Sequence, residues 1–201
     1  SLMKLVTTAA ALDILGSPFT WRTQVYMDGT VRDGVLQGNV YLQGSGDPRL
    51  GVEQLWLLMR RIQGLGVRQI QGDIVLDRSA FDVTETDPGS FDGEPLRPYN
   101  ASPDALLLGY KSFLLHFVPD AANKVARVHV EPPLAGVQLQ TSVPLSNADC
   151  SDYRASLKAD FQNPLRIVFA GVYPLACADK VWPVAYADPP QFAARAIHGM
   201  W

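Results

Sequence analysis

The first fifteen residues constrain the fold more than any other stretch. Leu2, Met3, Leu5, Val6, Ala9, Ala10, Ala11, Leu12, Ile14 and Leu15 leave hardly any polar face on a helix. A helix that is apolar all round belongs in an interior. The sequence therefore predicts a central helix running to about Leu15, stopped by Gly16 and Pro18. Ser1 and Lys4 stand at its start, on one face, with Cβ atoms roughly 5–6 Å apart. A serine hydroxyl becomes a nucleophile when a base takes its proton. A lysine is such a base when burial favours its neutral form, and Leu2, Met3, Leu5 and Val6 would bury this one. The partial positive charge of a helix N-terminus would steady an oxyanion beside the hydroxyl. The plain alternative is an N-cap serine followed by a surface lysine. A third reading has Ser1 acting through its own amine, which requires it to be the mature terminus.

Beyond the helix the pattern alternates. Residues 19–27 read as a half-buried strand, with Phe19, Trp21, Thr23, Val25 and Met27 on one face. Asp28-Gly29 and Asp33-Gly34 are turn signals, and residues 35–42 form the next strand. Gly44-Ser45-Gly46-Asp47-Pro48 lacks the lysine and spacing of a phosphate loop. Residues 52–65 form an amphipathic helix that turns Val52, Leu55, Trp56, Met59 and Ile62 toward a sheet. Residues 67–77 make one further strand, so the local unit is strand–helix–strand. Residues 81–103 are rich in Asp, Pro, Gly, Ser and Glu and form a long irregular segment of the kind that carries function. Residues 105–118 read as a strand or strand pair. Residues 126–130, 137–143, 167–172 and 181–186 are short strands between prolines and glycines, the signature of an antiparallel β module. Residues 192–201 begin a helix.

Composition removes several classes of function. A net charge of −3 with no basic run gives nucleic acid no purchase. No apolar run is long enough to span a bilayer and no export leader is present, although peripheral association with a membrane surface is allowed. His116, His129 and His198 formally permit a Ser-His-Asp triad with Ser1, but no spacing places any of them beside it. Cys150 and Cys177 are either two separate thiols in a reducing compartment or one disulfide in an exported protein. Neither has the neighbours of a zinc site.

Four blocks in order carry a resemblance. Ser1-Leu2-Met3-Lys4-Leu5-Val6-Thr7-Thr8-Ala9-Ala10-Ala11-Leu12 resembles the nucleophile helix of the D-alanyl-D-alanine carboxypeptidase/endopeptidases, the class C (DacB-type) penicillin-binding proteins. Phe19-Thr20-Trp21-Arg22-Thr23 resembles the strand that follows. Gly38-Asn39-Val40-Tyr41-Leu42-Gln43-Gly44-Ser45-Gly46-Asp47-Pro48 and Gly72-Asp73-Ile74-Val75-Leu76-Asp77-Arg78-Ser79-Ala80-Phe81 resemble two further family segments. The second half of the chain resembles the family more loosely.

The resemblance implies an α+β fold: the nucleophile helix of a β-lactamase/transpeptidase-like domain, followed by β-rich inserted domains. The implied divisions are 1–18 for the nucleophile helix, 19–109 for a first α/β insert, 110–186 for a mostly antiparallel β insert, and 187–201 for the return. It implies Ser1 as nucleophile and Lys4 as base, no metal and no cofactor, and β-lactams and peptidoglycan stem peptides as ligands. Glu94 and Tyr99 match an acidic–aromatic pair that reads the stem peptide, with glutamate where aspartate is usual; the alternative is a solvated charge and a buried anchor. An exported, extracytoplasmic protein favours a Cys150–Cys177 disulfide, worth about 3 kcal/mol for a loop of that size. The family's S-x-N and K-T-G (or K-S-G) triplets are absent from the sequence, so the chain reads as a piece that is inactive alone. Two other classes remain open here: a non-catalytic peptidoglycan-binding or scaffold module, and a serine β-lactamase, whose compactness the long insert opposes.

Overall fold

The computed structural model describes residues 2–84 and 86–201. Helix α1 (Leu2–Leu15) closes where expected: the Gly16 N–H donates to the Leu12 carbonyl at 3.0 Å, and Gly16 takes a φ of +78°. The expectation that it is interior fails. None of its residues is buried, and Leu2 is 81% exposed. All-round apolarity measures what a helix needs, and no described segment covers any face of α1 enough to bury a residue.

The next module has strands β1 (Gln24–Met27), β2 (Thr30–Arg32), β3 (Val35–Gln37) and β4 (Val40–Gln43). Helix α2 (Val52–Gly64), β5 (Gln69–Ile70) and β6 (Ile74–Asp77) complete it. Two three-stranded sheets result, ordered β1-β4-β6 and β2-β3-β5. The strand–helix–strand unit is present, with β4 and β6 parallel across α2. The single strands expected over 35–42 and 67–77 are each split, one half in each sheet. Glycine packing explains both breaks. A Cβ on Gly38 would fall 1.8 Å from the Asp28 carbonyl oxygen, and one on Gly72 would fall 2.5 Å from the Gly38 carbonyl oxygen. Asp28 fixes the crossing: its carboxylate accepts from the Asn39 backbone N–H, the Tyr41 hydroxyl at 2.7 Å and the Asn39 amide at 3.1 Å. These bonds, that of the Asn39 N–H foremost, hold its carboxyl below the usual carboxylate range.

The strand expected over 19–27 is also shorter. β1 begins only at Gln24, paired with Gln43 at the end of β4, so residues 19–23 have no ladder to join. Phe19 and Trp21 instead pack edge to face at 4.9 Å in exposed positions. On α2, Leu55, Met59 and Ile62 are buried as predicted, but Trp56 is 53% exposed. At 3.6 residues per turn it lies about 90° round the helix from that stripe.

The β module begins after a buried irregular stretch, residues 105–108, where a strand was expected. Its strands are β7 (Ser112–Asp120), β8 (Val125–Glu131), β9 (Gln138–Leu139) and β10 (Ser142–Ser146). Helix α3 (Tyr153–Leu157), β11 (Ala159–Asp160), β12 (Arg166–Phe169), β13 (Tyr173–Pro174) and β14 (Lys180–Ala185) follow, and helix α4 (Pro189–Met200) ends the chain. Five strands order as β13-β10-β8-β7-β14, and three as β11-β12-β9. The strand expected over 137–143 is divided between these sheets, with Gln140 bridging them: its side-chain oxygen accepts from the Phe169 N–H at 3.0 Å and its amide donates to the Ser142 carbonyl at 2.9 Å. The pairing is mostly antiparallel, with β10–β13 and β9–β12 parallel. Phe117 stacks on Tyr173 at 5.3 Å, beside Phe169 at 5.6 Å. The Cys150–Cys177 disulfide forms across a sequence separation of 27 and anchors the chain entering α3.

Asp104 joins the parts. It is 7% exposed, and its carboxylate lies 3.0 Å from Lys111 Nζ and 3.5 Å from Arg78 Nε, while accepting from the Leu106 N–H at 2.9 Å. Arg78 reaches on to donate to the Pro190 carbonyl at the start of α4, at 3.2 Å. Around this cluster the Gly46 N–H donates to the Ala105 carbonyl and the Gly109 N–H to the Leu50 carbonyl, at 2.7 and 2.8 Å. Gly44 admits the approach, since a Cβ there would sit 2.2 Å from the Ala105 carbonyl oxygen.

Two predictions follow from this packing. Asp104→Ala leaves two cations without their buried anion and lowers stability by about 3 kcal/mol, measured by urea denaturation. Burial pushes the Tyr173 hydroxyl up to about 12. Its neutral form is the folded one, so stability is full below an unfolded-state value of about 10 and falls as pH rises from there toward the folded value. Tyr173→Phe flattens that alkaline limb in melting temperatures taken on either side of about pH 10.

Candidate active site

The catalytic pair predicted from sequence is only half visible. Ser1 lies outside the described residues. Lys4 sits in the first turn of α1 and is exposed. The helix around it is regular, and its threonines turn their hydroxyls back on its own backbone. The Thr8 hydroxyl donates to the Lys4 carbonyl at 2.8 Å, and the Thr7 hydroxyl to the Met3 carbonyl at 2.9 Å. The Lys4 amine is therefore borne on an ordered helix, but the burial expected from Leu2, Met3, Leu5 and Val6 is not met within this chain. Neighbours on the same helix leave one another's outer faces open; only a second surface can desolvate them.

The long segment 81–103 has a local order that composition did not reveal. Asp92 organises it. Its carboxylate accepts from the Tyr99 hydroxyl at 2.7 Å, the Asn100 amide at 2.8 Å and the Glu94 backbone N–H at 3.0 Å. The Tyr99 bond chiefly lowers the Asp92 carboxyl, and the same bond raises the tyrosine hydroxyl. Tyr99 opens the 3-10 turn Pro98–Asn100 outward and is 66% exposed, so it is not a buried anchor. Glu94 is exposed too, with its carboxylate 3.5 Å from Arg97 Nε. Within the loop, then, the Tyr99 hydroxyl bonds Asp92, seven residues before it, while Glu94 pairs with Arg97. An aspartate followed by a glycine is an ordinary turn signal, and that signal, at Asp92-Gly93, is what could have located the aspartate.

No hydrogen bond or ion pair among the described residues joins Lys4 to Glu94 or Tyr99. His116 and His129 face each other across β7 and β8 with parallel rings 5.2 Å apart, and His116 Nε2 lies 3.2 Å from a Glu131 carboxylate oxygen. They stack in the sheet, and His198 lies near the end of α4, lining a cleft with Trp201 and Arg68. Among the described residues no cluster has the make-up of a metal site.

Comparison with known proteins adds a lineage to this geometry. Residues 1–201 match the D-Ala-D-Ala carboxypeptidase 3 (S13) family. Over 105 residues, 52% of this chain, the sequence is 31% identical to a D-alanyl-D-alanine carboxypeptidase DacB of Haemophilus influenzae. Over 83 residues, 41% of this chain, it is 40% identical to a D-alanyl-D-alanine carboxypeptidase of an Actinomadura species. These matches span 22% and 15% of the two relatives' own lengths. The fold superimposes on the crystal structure of penicillin binding protein 4 (dacB) from Haemophilus influenzae with a TM-score of 0.66 and 23% identity, covering 98% of this chain and 43% of that one. A second structure of that protein, complexed with a β-lactam, gives a TM-score of 0.57 at 22% identity, covering 98% and 41%.

Asp92→Ala removes three bonds from the loop and speeds amide exchange at Asn100 and Ala101 about fivefold or more. Glu94→Ala leaves that exchange unchanged. Equal effects of the two substitutions would contradict the assignment of Asp92 as the organising acid.

Proposed function

Because this chain belongs to the D-Ala-D-Ala carboxypeptidase 3 (S13) family, we propose that it supplies the nucleophile and base of a serine D-Ala-D-Ala carboxypeptidase/endopeptidase acting on peptidoglycan stem peptides. The observation that carries the reading is the family match over residues 1–201, with Ser-x-x-Lys in the sequence and its Lys4 in the first turn of an apolar helix. The relatives of known name are D-alanyl-D-alanine carboxypeptidases, and a structural relative has been crystallised with a β-lactam.

The chemistry is acyl transfer. The Ser1 oxygen attacks the carbonyl carbon between the two terminal D-alanines as the Lys4 amine takes the hydroxyl proton. The tetrahedral oxyanion is stabilised by backbone N–H groups near the helix start. The carbon–nitrogen bond then breaks, the proton passes to the departing amine, and D-alanine leaves an ester on Ser1. Water attacks that ester, releases the shortened peptide and returns the proton to the serine. A β-lactam opens in the same first step and stays attached. No metal or cofactor takes part.

A lysine serves as base only in its neutral form, which burial favours. The exposed apolar surface of α1 has the chemistry of a surface made to be covered. We take the covering surface, and the S-x-N and K-T-G triplets, to be supplied by another segment of the parent protein. By itself the chain is then inactive. The disulfide and the location of peptidoglycan both favour the periplasm or another extracytoplasmic compartment.

A fluorescent penicillin distinguishes these statements. A longer polypeptide that carries this chain with both triplets is labelled and releases D-alanine from a D-Ala-D-Ala peptide, and Ser1→Ala abolishes both. The chain alone stays unlabelled. D-Alanine release that survives Ser1→Ala overturns the peptidase reading, and stoichiometric labelling of the chain alone overturns its inactivity.

A further inference from the structure

Four elements meet in a cleft of about 540 Å³ lined by Arg97, Pro98, Tyr99, Tyr110, Arg154 and Pro183. Tyr110 has an unusual backbone. Gly109, Tyr110 and Lys111 are consecutive left-handed residues, with φ of 50°, 55° and 51°. A bulky side chain at positive φ is an outlier that surrounding structure must impose. Here it is imposed from several sides. The Lys111 amine is held by buried Asp104, the Lys111 carbonyl accepts from the Tyr186 N–H at 2.9 Å, and the Ser112 hydroxyl donates to the Gly109 carbonyl at 2.6 Å. Glycine or asparagine would take such a turn at less cost. The tyrosine ring returns little to the core, because it is 51% exposed. Its place in the turn is explained by what it faces.

Arg154 faces the same cleft from α3. Its guanidinium lies over two aromatic rings, 5.4 Å from the Trp182 centroid and 5.7 Å from that of Tyr153. Among the described residues no carboxylate lies within ion-pair distance of it. α3 itself is fixed by its Asp152 cap, whose carboxylate accepts from the Ala155 N–H at 3.1 Å, and by the neighbouring disulfide. The cation is therefore positioned before any ligand arrives. Arg97, by contrast, has Glu94 beside it, and Asp92 bonds Tyr99 on the same rim. Those acids oppose a polyanion. A guanidinium without a carboxylate partner among the described residues, set between tyrosine and proline faces, suits a single carboxylate on a largely apolar chain.

We propose that this cleft is a carboxylate-binding subsite for the peptide substrate, engaging a free carboxylate remote from the scissile bond through Arg154, with Tyr110 as its wall. The proposal rests on the peptidase reading and extends the region of Tyr99 toward α3. The ligand class is a peptide bearing an acidic residue whose α-carboxylate is free, as in a γ-linked glutamyl stem.

The test uses a probe without the D-Ala-D-Ala end, so that it is independent of acylation. An N-acetylated alanyl-γ-D-glutamyl-lysine peptide with its C-terminus blocked as the amide is titrated into the chain by NMR or calorimetry, against the same peptide amidated at the glutamate α-carboxylate as well. The acid binds about tenfold more tightly than the amide, since a hydrogen bond to a charged group is lost. Arg154→Gln removes that preference, and Arg154→Lys restores only part of it. Tyr110→Asn weakens binding without lowering the melting temperature, because asparagine tolerates the turn. Equal affinity for acid and amide, no binding of either, or an Arg154→Gln variant that keeps the preference overturns the subsite. So does a Tyr110→Asn variant that loses stability and keeps binding. Carboxylate-blind binding with intact Ser1 acylation in the longer polypeptide removes the subsite and leaves the peptidase reading standing; loss of that acylation alone removes the peptidase reading.

Discussion

A single buried carboxylate, Asp104, sets the arrangement of the chain. It takes a lysine from the turn before β7 and an arginine from just after β6, and that arginine reaches the first turn of α4. Residues far apart in sequence are thereby fixed at one point. The close backbone approach of Gly44 and Gly46 to Ala105 lies beside it. A buried anion with two cations does not by itself make a fold more stable than an apolar substitute would. What it contributes is position, since it draws Arg78 and Lys111 to one carboxylate. The left-handed turn that turns Tyr110 outward is held by the same ion pair, so the geometry of the cleft near α3 depends on Asp104 as well.

What could be read from the sequence, and what could not, divides along physical lines. Local periodicity located α1, α2, α4 and most strands, because the alternation of Phe113, Leu115 and Phe117 or the stripe of Leu55, Met59 and Ile62 is dictated by burial. It did not find the breaks at Gly38 and Gly72, since nothing near either glycine in sequence reveals that their backbones touch. The disulfide pairing was open on the residues alone and followed only from the resemblance to exported enzymes. Ser1-x-x-Lys4 was legible as a motif, whereas the exposure of its helix was not, because apolarity cannot say which surface will meet it. The ordering role of Asp92 was not legible, because its three partners, Glu94, Tyr99 and Asn100, meet it only once the loop has folded.

That exposure joins fold to function. α1 is held in shape by its own backbone and ends at Gly16, but it carries a row of leucine, methionine and valine side chains into solvent. The chain spans less than half of the solved relatives on which its fold superimposes. On the proposed reading the Lys4 amine acts as a base and needs a dry setting, and an apolar helix with an open face would provide one half of it. The α/β module and the β module that follow α1 differ from it, since each buries a core of its own. Their cores are closed, and the loop ordered by Asp92 and the cleft before Arg154 are already formed.

The most direct measurement of the central claim is mass mapping of a penicillin adduct on the longer polypeptide that contains this chain. The account predicts one covalent acyl group, carried by the peptide that includes Ser1 and absent when Lys4 is replaced by methionine. An adduct on any other residue, or undiminished acylation without the Lys4 amine, would contradict it.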